Sequence, residues 1–192
     1  MSARIQRLQV RRPRRQPSAF EALRQAVDGD AFWEEYLKNL SEGTPSGFSV
    51  HLAILVDRFL QAVLEGRKTI ESRFSVFRCP PFGRVREGDV LLLKKSGGAV
   101  MGICRVGKTW SYELDRDSRR FIRDEFSEAM CAQDDEFWRA RERGNYATLM
   151  QVKNVRRITP MPWQKKDRRG WVVLQAGESQ RKLERESAER CS

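Results

Sequence analysis

The sequence contains a single histidine and four cysteines, and this scarcity limits the chemistry that it can support. The cysteines at positions 79, 104, 131 and 191 are far apart, and no Cys-x-x-Cys pair occurs. A disulfide scaffold or a structural zinc site needs more numerous or more closely spaced cysteines. With His51 as the only histidine, histidine-based metal catalysis has almost no ligands to use. We therefore expect no metal and no cofactor.

Long apolar runs are also missing. No stretch approaches the roughly 20 consecutive apolar residues that a helix needs to cross a bilayer. The arginine-rich start is not followed by the apolar segment of a secretory signal. Hydrophobic residues make up 40% of the chain and charged residues 33%, which is typical of a folded protein with a very polar surface. We expect an intracellular, cytoplasmic protein with no membrane partner.

Positive charge is abundant, with a net charge of +11. Residues 1–17 carry six arginines and no acidic residue, and we predict a disordered tail there because nothing in them can form a core. Residues 50–175 hold 25 basic and 16 acidic residues, so the predicted folded part is itself basic. This distribution favours a polyanionic partner, namely RNA, another nucleic acid or a nucleoside. Arginine enrichment for solubility alone is the alternative.

One stretch places a glycine and several charges where a short apolar helix gives way to a strand. It reads Gly66-Arg67-Lys68-Thr69-Ile70-Glu71-Ser72-Arg73. Upstream, apolar residues recur at helical spacing between positions 56 and 64, and Gly66 stands where a left-handed helix cap belongs. Alternate residues of a strand share a face, so Glu71 and Arg73 are predicted to be neighbours. Lys68 can reach the same place from the junction.

Two interpretations of this Lys/Glu/Arg cluster stay open. In the first, Glu71 and Arg73 form a partly buried ion pair that orients the strand, and Lys68 is a solvated residue near a helix end. In the second, the cluster lines an anion or nucleotide pocket. Arg73 would then fork onto a phosphate or a base edge, Lys68 would supply a charge or an activated amine, and Glu71 would hold both or move a proton.

The cluster resembles the signature of the ASCH domain, Gly-x-Lys-x-x-Glu-x-Arg, and Gly66, Lys68, Glu71 and Arg73 all match it. The resemblance extends from about position 48 to position 174. It includes the lead-in at 51–54, the residues Phe74-Ser75, and the Gly-Asp step at 88–89 into an apolar strand. It implies a PUA-like β-barrel with a cleft, lined by the signature, for RNA or a modified nucleoside.

The predicted fold class is α+β, a small, mostly antiparallel barrel with inserted helices. We divide the chain into a disordered tail (1–17), a helical extension and linker (18–47), the barrel domain (48–175) and a charged tail (176–192). The extension is predicted to contain two acidic amphipathic helices that pack on the barrel or cover its mouth. Residues 113–143 are predicted to be helical, as a candidate lid. A strand over 146–159 has a predicted bulge near Lys153 and should end at Pro160.

Barrels of this size fill their own interior, so ligands are expected at the rim. The predicted ligand residues comprise four at the signature, a group of outer phosphate contacts and one stacking platform for an unpaired base. They are Lys68, Glu71, Arg73 and Ser75, then Lys94, Lys95, Arg168 and Arg169, and finally Trp171. The leading hypothesis is an RNA-binding module in which peripheral cations supply most of the affinity.

A hydrolase is the alternative, with Lys68 and Glu71 as catalytic residues. Bacterial amidohydrolases that deacetylate N4-acetylcytidine are similar in carrying a Gly-x-Lys signature at this place. Their catalytic residues are that lysine, a following threonine and a distant glutamate. Lys68 matches that lysine, but Glu71 occupies the threonine position and the distant glutamate has no assigned match. A ribonuclease using the same pair is a further variant. The third hypothesis is a protein-interaction adaptor that binds through the acidic helices.

Overall fold

The computed structural model describes Arg24 and residues 26–38, 47–163 and 168–178. Its helices are α1 (Ala31–Tyr36), α2 (Asp57–Leu64), α3 (Arg116–Phe126) and α4 (Asp135–Arg139). Its strands are β1 (Val50–Leu55), β2 (Ile70–Ser75), β3 (Val90–Lys95), β4 (Val100–Glu113), β5 (Tyr146–Met161) and β6 (Trp171–Gln175).

The six strands form one mixed sheet in the order β2-β5-β4-β3-β1-β6. Only the pair β1 and β3 is parallel, and α2 and β2 lie between these two strands in the chain. The other neighbours are antiparallel. The sheet curls into a half-barrel, so β2 and β6 are edges that approach each other without pairing. This confirms the predicted α+β class with a barrel-like sheet and inserted helices.

Both faces of the central strands are buried, which explains the continuous apolar run of β3. Leu92 faces a core that contains Trp33 of α1, whereas Leu91 and Leu93 face a core that contains Leu60 of α2. Adjacent strand residues point to opposite faces, so a strand covered on both sides needs apolar residues at every position. The sheet is therefore a middle layer between helices.

Helix α1 packs on one face of the sheet. Packing on the barrel is one of the two arrangements predicted for the extension, the other being a cover over the barrel mouth. Asp30 caps α1 by accepting a hydrogen bond from the backbone N–H of Trp33 at 3.1 Å. Trp33 is 1% exposed, and the Tyr36 hydroxyl donates to the carbonyl of Gly88 at 2.6 Å. Arg156 of β5 pairs with Asp30 at 3.1 Å. These contacts tie the extension to the sheet.

Helix α2 lies close to the opposite face because β4 has a glycine beneath it. A Cβ atom on Gly102 would stand 2.5 Å from a methyl carbon of Leu64 and 2.9 Å from the carbonyl oxygen of Arg156. A backbone oxygen at that distance leaves no room for a methyl group. The small residue therefore brings the C-terminal end of α2, where the signature begins, onto the sheet.

The insertion between β4 and β5 also packs against the sheet. Helix α3 starts with a capping box in which Asp115 and Ser118 satisfy each other's backbone N–H groups. Ile122 and Phe137 pack with Ile70 and Leu149 of the sheet in one buried cluster. The predicted helical segment 113–143 therefore contains two helices, but β4 continues through Glu113, so the helical part begins later than predicted.

Strand β5 contains the predicted bulge. Asn154 has φ of 51°, and the register with β4 shifts between Arg156 and Lys153. The predicted end of this strand was wrong, because β5 continues through Pro160 and pairs Met161 with Val100. Proline has no N–H to contribute to a ladder, but it fits an extended backbone where that donor is not needed.

A buried polar network joins β1, β6 and the turn before β3. His51 lies between Asp89, 3.0 Å from Nε2, and the indole N–H of Trp171, 3.3 Å from Nδ1. Because the indole can only donate, Nδ1 accepts and Nε2 carries the proton that is donated to Asp89. Asp89 also accepts backbone N–H groups from Ser49 and Arg86. The single histidine is thus fully bonded in the core.

Several predicted segments fall outside the described residues. They are the tail at 1–17, most of the first extension helix, most of the linker at 41–47, part of the basic loop at 164–170 and nearly all of the tail at 176–192. Within the described part of the chain, no helix combines the length and the apolar character needed to cross a membrane.

Candidate functional site

The signature follows a tight turn at the end of α2. Gly66 has φ of 76°, the left-handed conformation predicted for it, and its N–H donates to the carbonyl of Val63. The N–H of Lys68 then reaches back to the carbonyl of Ala62 at 2.9 Å. The chain turns directly into β2, and the side chains of Lys68 and Glu71 are brought together.

Lys68 is buried, with only 3% of the residue exposed. Its ammonium donates to the carbonyls of Ile70 at 2.6 Å and Met130 at 3.2 Å, and it lies 3.3 Å from Oε2 of Glu71. Burial lowers the pKa of Lys68, and the nearby Glu71 carboxylate opposes this effect only in part. The solvated lysine of the first interpretation is therefore not what the structure contains.

Arg73 links the two edges of the curled sheet. Its Nη1 donates to the carbonyl of Gly170 at 3.0 Å, just before β6, and its Nη2 donates to the carbonyl of Ile54 at 2.9 Å, in β1. Its Nε is 2.8 Å from Oε1 of Glu71, an ion-pair contact in which the N–H bond is not aimed at the oxygen. The Arg73 guanidinium therefore holds β2 to β1 and to the residue before β6, in agreement with the orienting ion pair of the first interpretation.

A cavity of about 240 Å³, which we call the cleft, opens beside this cluster. The Lys/Glu/Arg cluster contributes charge, and the ends of β1 and α2, strand β2 and helix α4 contribute mostly apolar walls. The lining residues are Ile54, Leu55, Val56, Phe59, Lys68, Glu71, Ser72, Arg73, Phe74, Phe137 and Arg141. Glu71 is the one carboxylate among these residues, so the cleft offers a buried acceptor between aromatic rings.

Arg141 reaches the cleft from the insertion. Its guanidinium lies 3.6 Å from the ring centroid of Phe137 and donates to the carbonyl of that residue at 2.8 Å. Burial lowers the pKa of Arg141, and the neighbouring Arg58 adds to the effect. The insertion thus contributes a cation to the wall of the cleft, next to the barrel signature.

A larger cavity of about 630 Å³, the hairpin cavity, lies on the other side of Ile54. The turn at 96–98 between β3 and β4 forms one wall, and Trp163 and Gly170 form another. Lys94, Arg168 and Arg169 supply its positive charge. The cleft and the hairpin cavity share Ile54 and Val56 as lining residues, so they are adjacent.

The structure brings some of the predicted ligand residues together and separates others. Lys68, Glu71 and Arg73 meet in the cleft, and Arg168 and Arg169 are exposed at the hairpin cavity. In contrast, Lys95 is paired with Asp57 at 3.0 Å and Ser75 is at the far end of β2, and both are absent from the walls of these cavities.

Two predicted positions need correction. Lys94 is not an outer contact, because it is buried and donates to the carbonyls of Lys95 and Gly98. Trp171 is not an open stacking platform, because it is 4% exposed and its ring lies below the Arg73 guanidinium, 5.4 Å away. In both cases the alternation of a strand directs the side chain inward, and only the cover on that face reveals it.

Sequence reasoning missed the cleft residues that come from other elements. These residues are Phe59, Phe137 and Arg141, and the sequence analysis predicts no site role for them. Their spacing signals only a helix face, and nothing local indicates which strand that face meets. Of the described residues, no group of three or more His, Cys, Asp or Glu side chains is placed to hold a metal ion.

The fold is similar to solved structures of an ASCH protein from Zymomonas mobilis. One aligns with a TM-score of 0.54 and 12% identity over 71% of this chain and 94% of the other. A point mutant of that protein aligns with a TM-score of 0.55 and 14% identity over 73% of this chain and 98% of the other. This chain has the ASCH fold.

The likeness lies in structure and hardly in sequence. No family model matches the chain, and no curated protein sequence matches it. The ASCH fold predicted from four signature residues is confirmed by the three-dimensional comparison. The cleft therefore lies in an ASCH-type sheet beside its own signature residues.

Proposed function

We propose that this ASCH-fold chain binds single-stranded RNA and accepts one nucleobase in the cleft. The observation that carries the proposal is the buried Glu71 carboxylate, held by Lys68 and Arg73 at a cavity of about 240 Å³ in a strongly basic chain. A carboxylate accepts hydrogen bonds from the amino and ring N–H groups of a base. Aromatic and apolar walls favour an unstacked ring.

A base suits the cleft better than a phosphate. The two terminal nitrogens of Arg73 are engaged by carbonyls, and the charge of Lys68 is offset by Glu71. A phosphate would have to approach the Glu71 carboxylate, which repels it and offers no proton donor. Phosphate contacts are therefore assigned to the exposed cations around the cleft, and these supply a salt-sensitive share of the affinity.

The test uses two exposed valines. Val56 is 52% exposed and lines both the cleft and the hairpin cavity, whereas Val76 is 45% exposed and lines neither. Fluorescence anisotropy with a labelled single-stranded RNA compares the full chain with Val56→Glu and Val76→Glu. We expect Val56→Glu to weaken binding by about tenfold or more, equivalent to about 1.4 kcal/mol, because it places a negative charge at the mouth of the cleft.

Val76→Glu should change the affinity by less than about twofold, since it adds the same charge at an exposed site away from these cavities. Melting curves check that both variants fold. Equal binding by wild type and Val56→Glu would rule out the cleft as the RNA site. An absence of binding by the wild type at low salt would rule out the function itself.

A hydrolase acting on an acylated nucleoside is the second candidate, and the buried Lys68 with its lowered pKa favours it. A neutral lysine amine beside Glu71 can take a proton from water. In such a reaction, water adds to the acyl carbon, the C–N bond breaks, and the products are acetate and the free amine of cytidine.

Incubation with N4-acetylcytidine and chromatography of the products tests this candidate. Turnover by the wild type that is lost in Lys68→Met, and kept in the exposed control Lys95→Met, would favour the hydrolase. Intact substrate after prolonged incubation with the folded wild type would eliminate it.

A further inference from the structure

The insertion carries a groove of about 460 Å³, which we call the insertion groove. Phe74 of β2 and Trp138 of α4 contribute aromatic rings to it. Its rim contains six arginines from α3 and from the end of α4 onward, namely Arg116, Arg119, Arg120, Arg123, Arg139 and Arg141. The groove is thus an aromatic surface surrounded by guanidinium groups.

Basic and acidic side chains of this insertion lie in different places: most of its arginines line the insertion groove, and most of its acidic residues do not. Residues 116–143, all of which the structure describes, contain seven arginines and eight acidic residues, so the segment as a whole is nearly neutral. Six of the arginines line the insertion groove, whereas Glu142 is the one acidic residue of the segment that does so. A nearly neutral segment therefore presents a strongly positive groove, which solubility does not require.

Three of these six arginines contact other residues of the insertion. Arg119 donates to the carbonyls of Arg141 and Gly144, and Arg123 pairs with Asp135. Arg141 stacks on Phe137, as described above. These three shape the groove.

The other three arginines are available to a ligand. The side chains of Arg116 and Arg139 are exposed, and neither forms a hydrogen bond or an ion pair with a residue in the described part of the chain. The side chain of Arg120 is 84% exposed, and its contact with Asp124 is 3.5 Å long. Three exposed cations at one groove match the spaced negative charges of a nucleic-acid backbone.

The insertion groove is adjacent to the cleft. Phe74 and Arg141 line both, just as Ile54 and Val56 line both the cleft and the hairpin cavity. The three cavities therefore form a row with the Lys/Glu/Arg cluster in the middle and exposed arginines at both ends. A flexible chain of alternating phosphates and rings can follow such a row.

We propose that the insertion groove binds the backbone and one flanking base of the single-stranded RNA whose neighbouring base enters the cleft. Arg116, Arg120 and Arg139 contact the phosphates. Trp138 is half-buried and has the Arg123 guanidinium 5.9 Å from its ring centroid, and the part of it that lines the groove offers an aromatic surface to the flanking base. This inference rests on the proposed RNA-binding function and assigns the insertion its role. A single strand is favoured over a duplex because the aromatic surface can be reached only by unpaired bases.

The experiment removes equal charge from the groove and from elsewhere. The groove variant is Arg116→Gln/Arg120→Gln/Arg139→Gln in the full chain. The control is Arg67→Gln/Lys108→Gln/Lys153→Gln, three exposed cations that line none of the three cavities. Anisotropy is measured across a salt series with a labelled single-stranded RNA of about 12 nucleotides, within the range of single-strand site sizes.

We expect the groove variant to bind at least about tenfold more weakly than the control. The slope of log affinity against log salt should fall by about 2, or about 0.7 for each of the three lost phosphate contacts. Equal losses in the two variants would overturn the inference, since they would show that only the total charge matters. If Val56→Glu still weakens binding in that case, the cleft function survives without the groove. If the wild type binds no RNA, both proposals fail.

Two further ligands test the nature of the occupant. Duplex RNA of the same sequence and a polyglutamate peptide should bind the wild type more weakly than the single strand. Neither should discriminate between the groove variant and its control. A polyglutamate peptide that binds as tightly as RNA and is lost in the groove variant would assign the groove to an acidic protein partner and overturn the proposal.

Discussion

Lys68 brings its ammonium into the interior of the molecule, where two carbonyls and Glu71 surround it. Such an arrangement holds the lysine in place but does not replace the hydration that burial removes. The direction of its pKa shift reflects this balance, since burial outweighs the nearby carboxylate. Lys68 is therefore both a structural element of the turn and the one lysine among the cleft-lining residues, with a pKa lowered by burial.

This burial predicts a pH-dependent stability. Because the pKa of Lys68 is lowered in the folded chain, the unfolded chain binds more protons between the two pKa values. The free energy of unfolding should therefore rise with pH in that window, up to the ordinary lysine value. Urea unfolding between about pH 7 and pH 10 should show a rise in the wild type that Lys68→Met lacks.

The control for this measurement is Lys95→Met, which removes an exposed lysine. Its pH profile should run parallel to that of the wild type. Parallel profiles for Lys68→Met and the wild type would mean that the Lys68 pKa is not lowered by folding.

The hydrogen bonds of Arg73 predict a loss of stability when this residue is replaced. A lysine in its place retains one charge but cannot reach the carbonyls of Gly170 and Ile54 as a planar fork. Arg73→Lys should therefore lower the free energy of unfolding by about 2 kcal/mol, because it leaves a carbonyl at the sheet edge without its donor.

Arg78→Lys is the matched control, since Arg78 forms an exposed ion pair with Glu113 and should lose less than about 0.5 kcal/mol. Denaturant unfolding compares the two variants. Equal stability losses would show that the Arg73 bridge contributes nothing beyond a surface ion pair.

At the scale of elements, the junction between α2 and β2 controls where the signature points. The helix ends in a left-handed glycine, and β2 begins after a turn in which Thr69 and Ile70 both donate to the carbonyl of Ala129 in the insertion. Helix, strand and insertion therefore meet at one point. A change in the direction of this turn would move Lys68 and Glu71 together.

Gly66→Ala tests this junction. Nothing lies within 4 Å of a Cβ atom built there, so the expected loss of about 1 kcal/mol comes from the backbone conformation alone. Gly47→Ala is the control, because that glycine also has open space around it but is not among those with positive φ. Thermal unfolding should separate the two, and an unchanged melting temperature for Gly66→Ala would contradict the requirement for glycine.

At the scale of the whole molecule, positive charge is distributed between the N-terminal segment and residues 50–175. Residues 1–17 contribute six arginines, but residues 50–175 keep an excess of nine basic groups without them. Replacing the six arginines with glutamine should reduce the salt slope of RNA binding while leaving the penalty of Val56→Glu in place. A loss of all binding, or of the Val56→Glu penalty, would assign RNA recognition to the tail. Anisotropy across the same salt series gives the result.

Much of the architecture was predictable because it depends on local rules. The alternation around Glu71, the bulge near Asn154 and the helical insertion all follow from patterns a few residues long. The continuation of β5 through Pro160 was not predictable, since the partner strand determines whether the missing N–H matters. Inward-facing Lys94 and Trp171 were misplaced for a related reason, because alternation does not reveal which face is covered.

The amino-acid sequence was enough to establish the positive charge, which follows from composition. It also established the glycine-capped turn from α2 to β2 and the pairing of Glu71 with Arg73, because these involve near neighbours in the chain. Only the tertiary structure decided that Arg73 reaches Gly170, 97 residues away, that Met130 helps to bury Lys68, and that six arginines surround one groove. Those contacts depend on strand order and on the curl of the sheet. The same long-range packing removes Lys68 from water, and this determines its pKa and the chemistry available in the cleft.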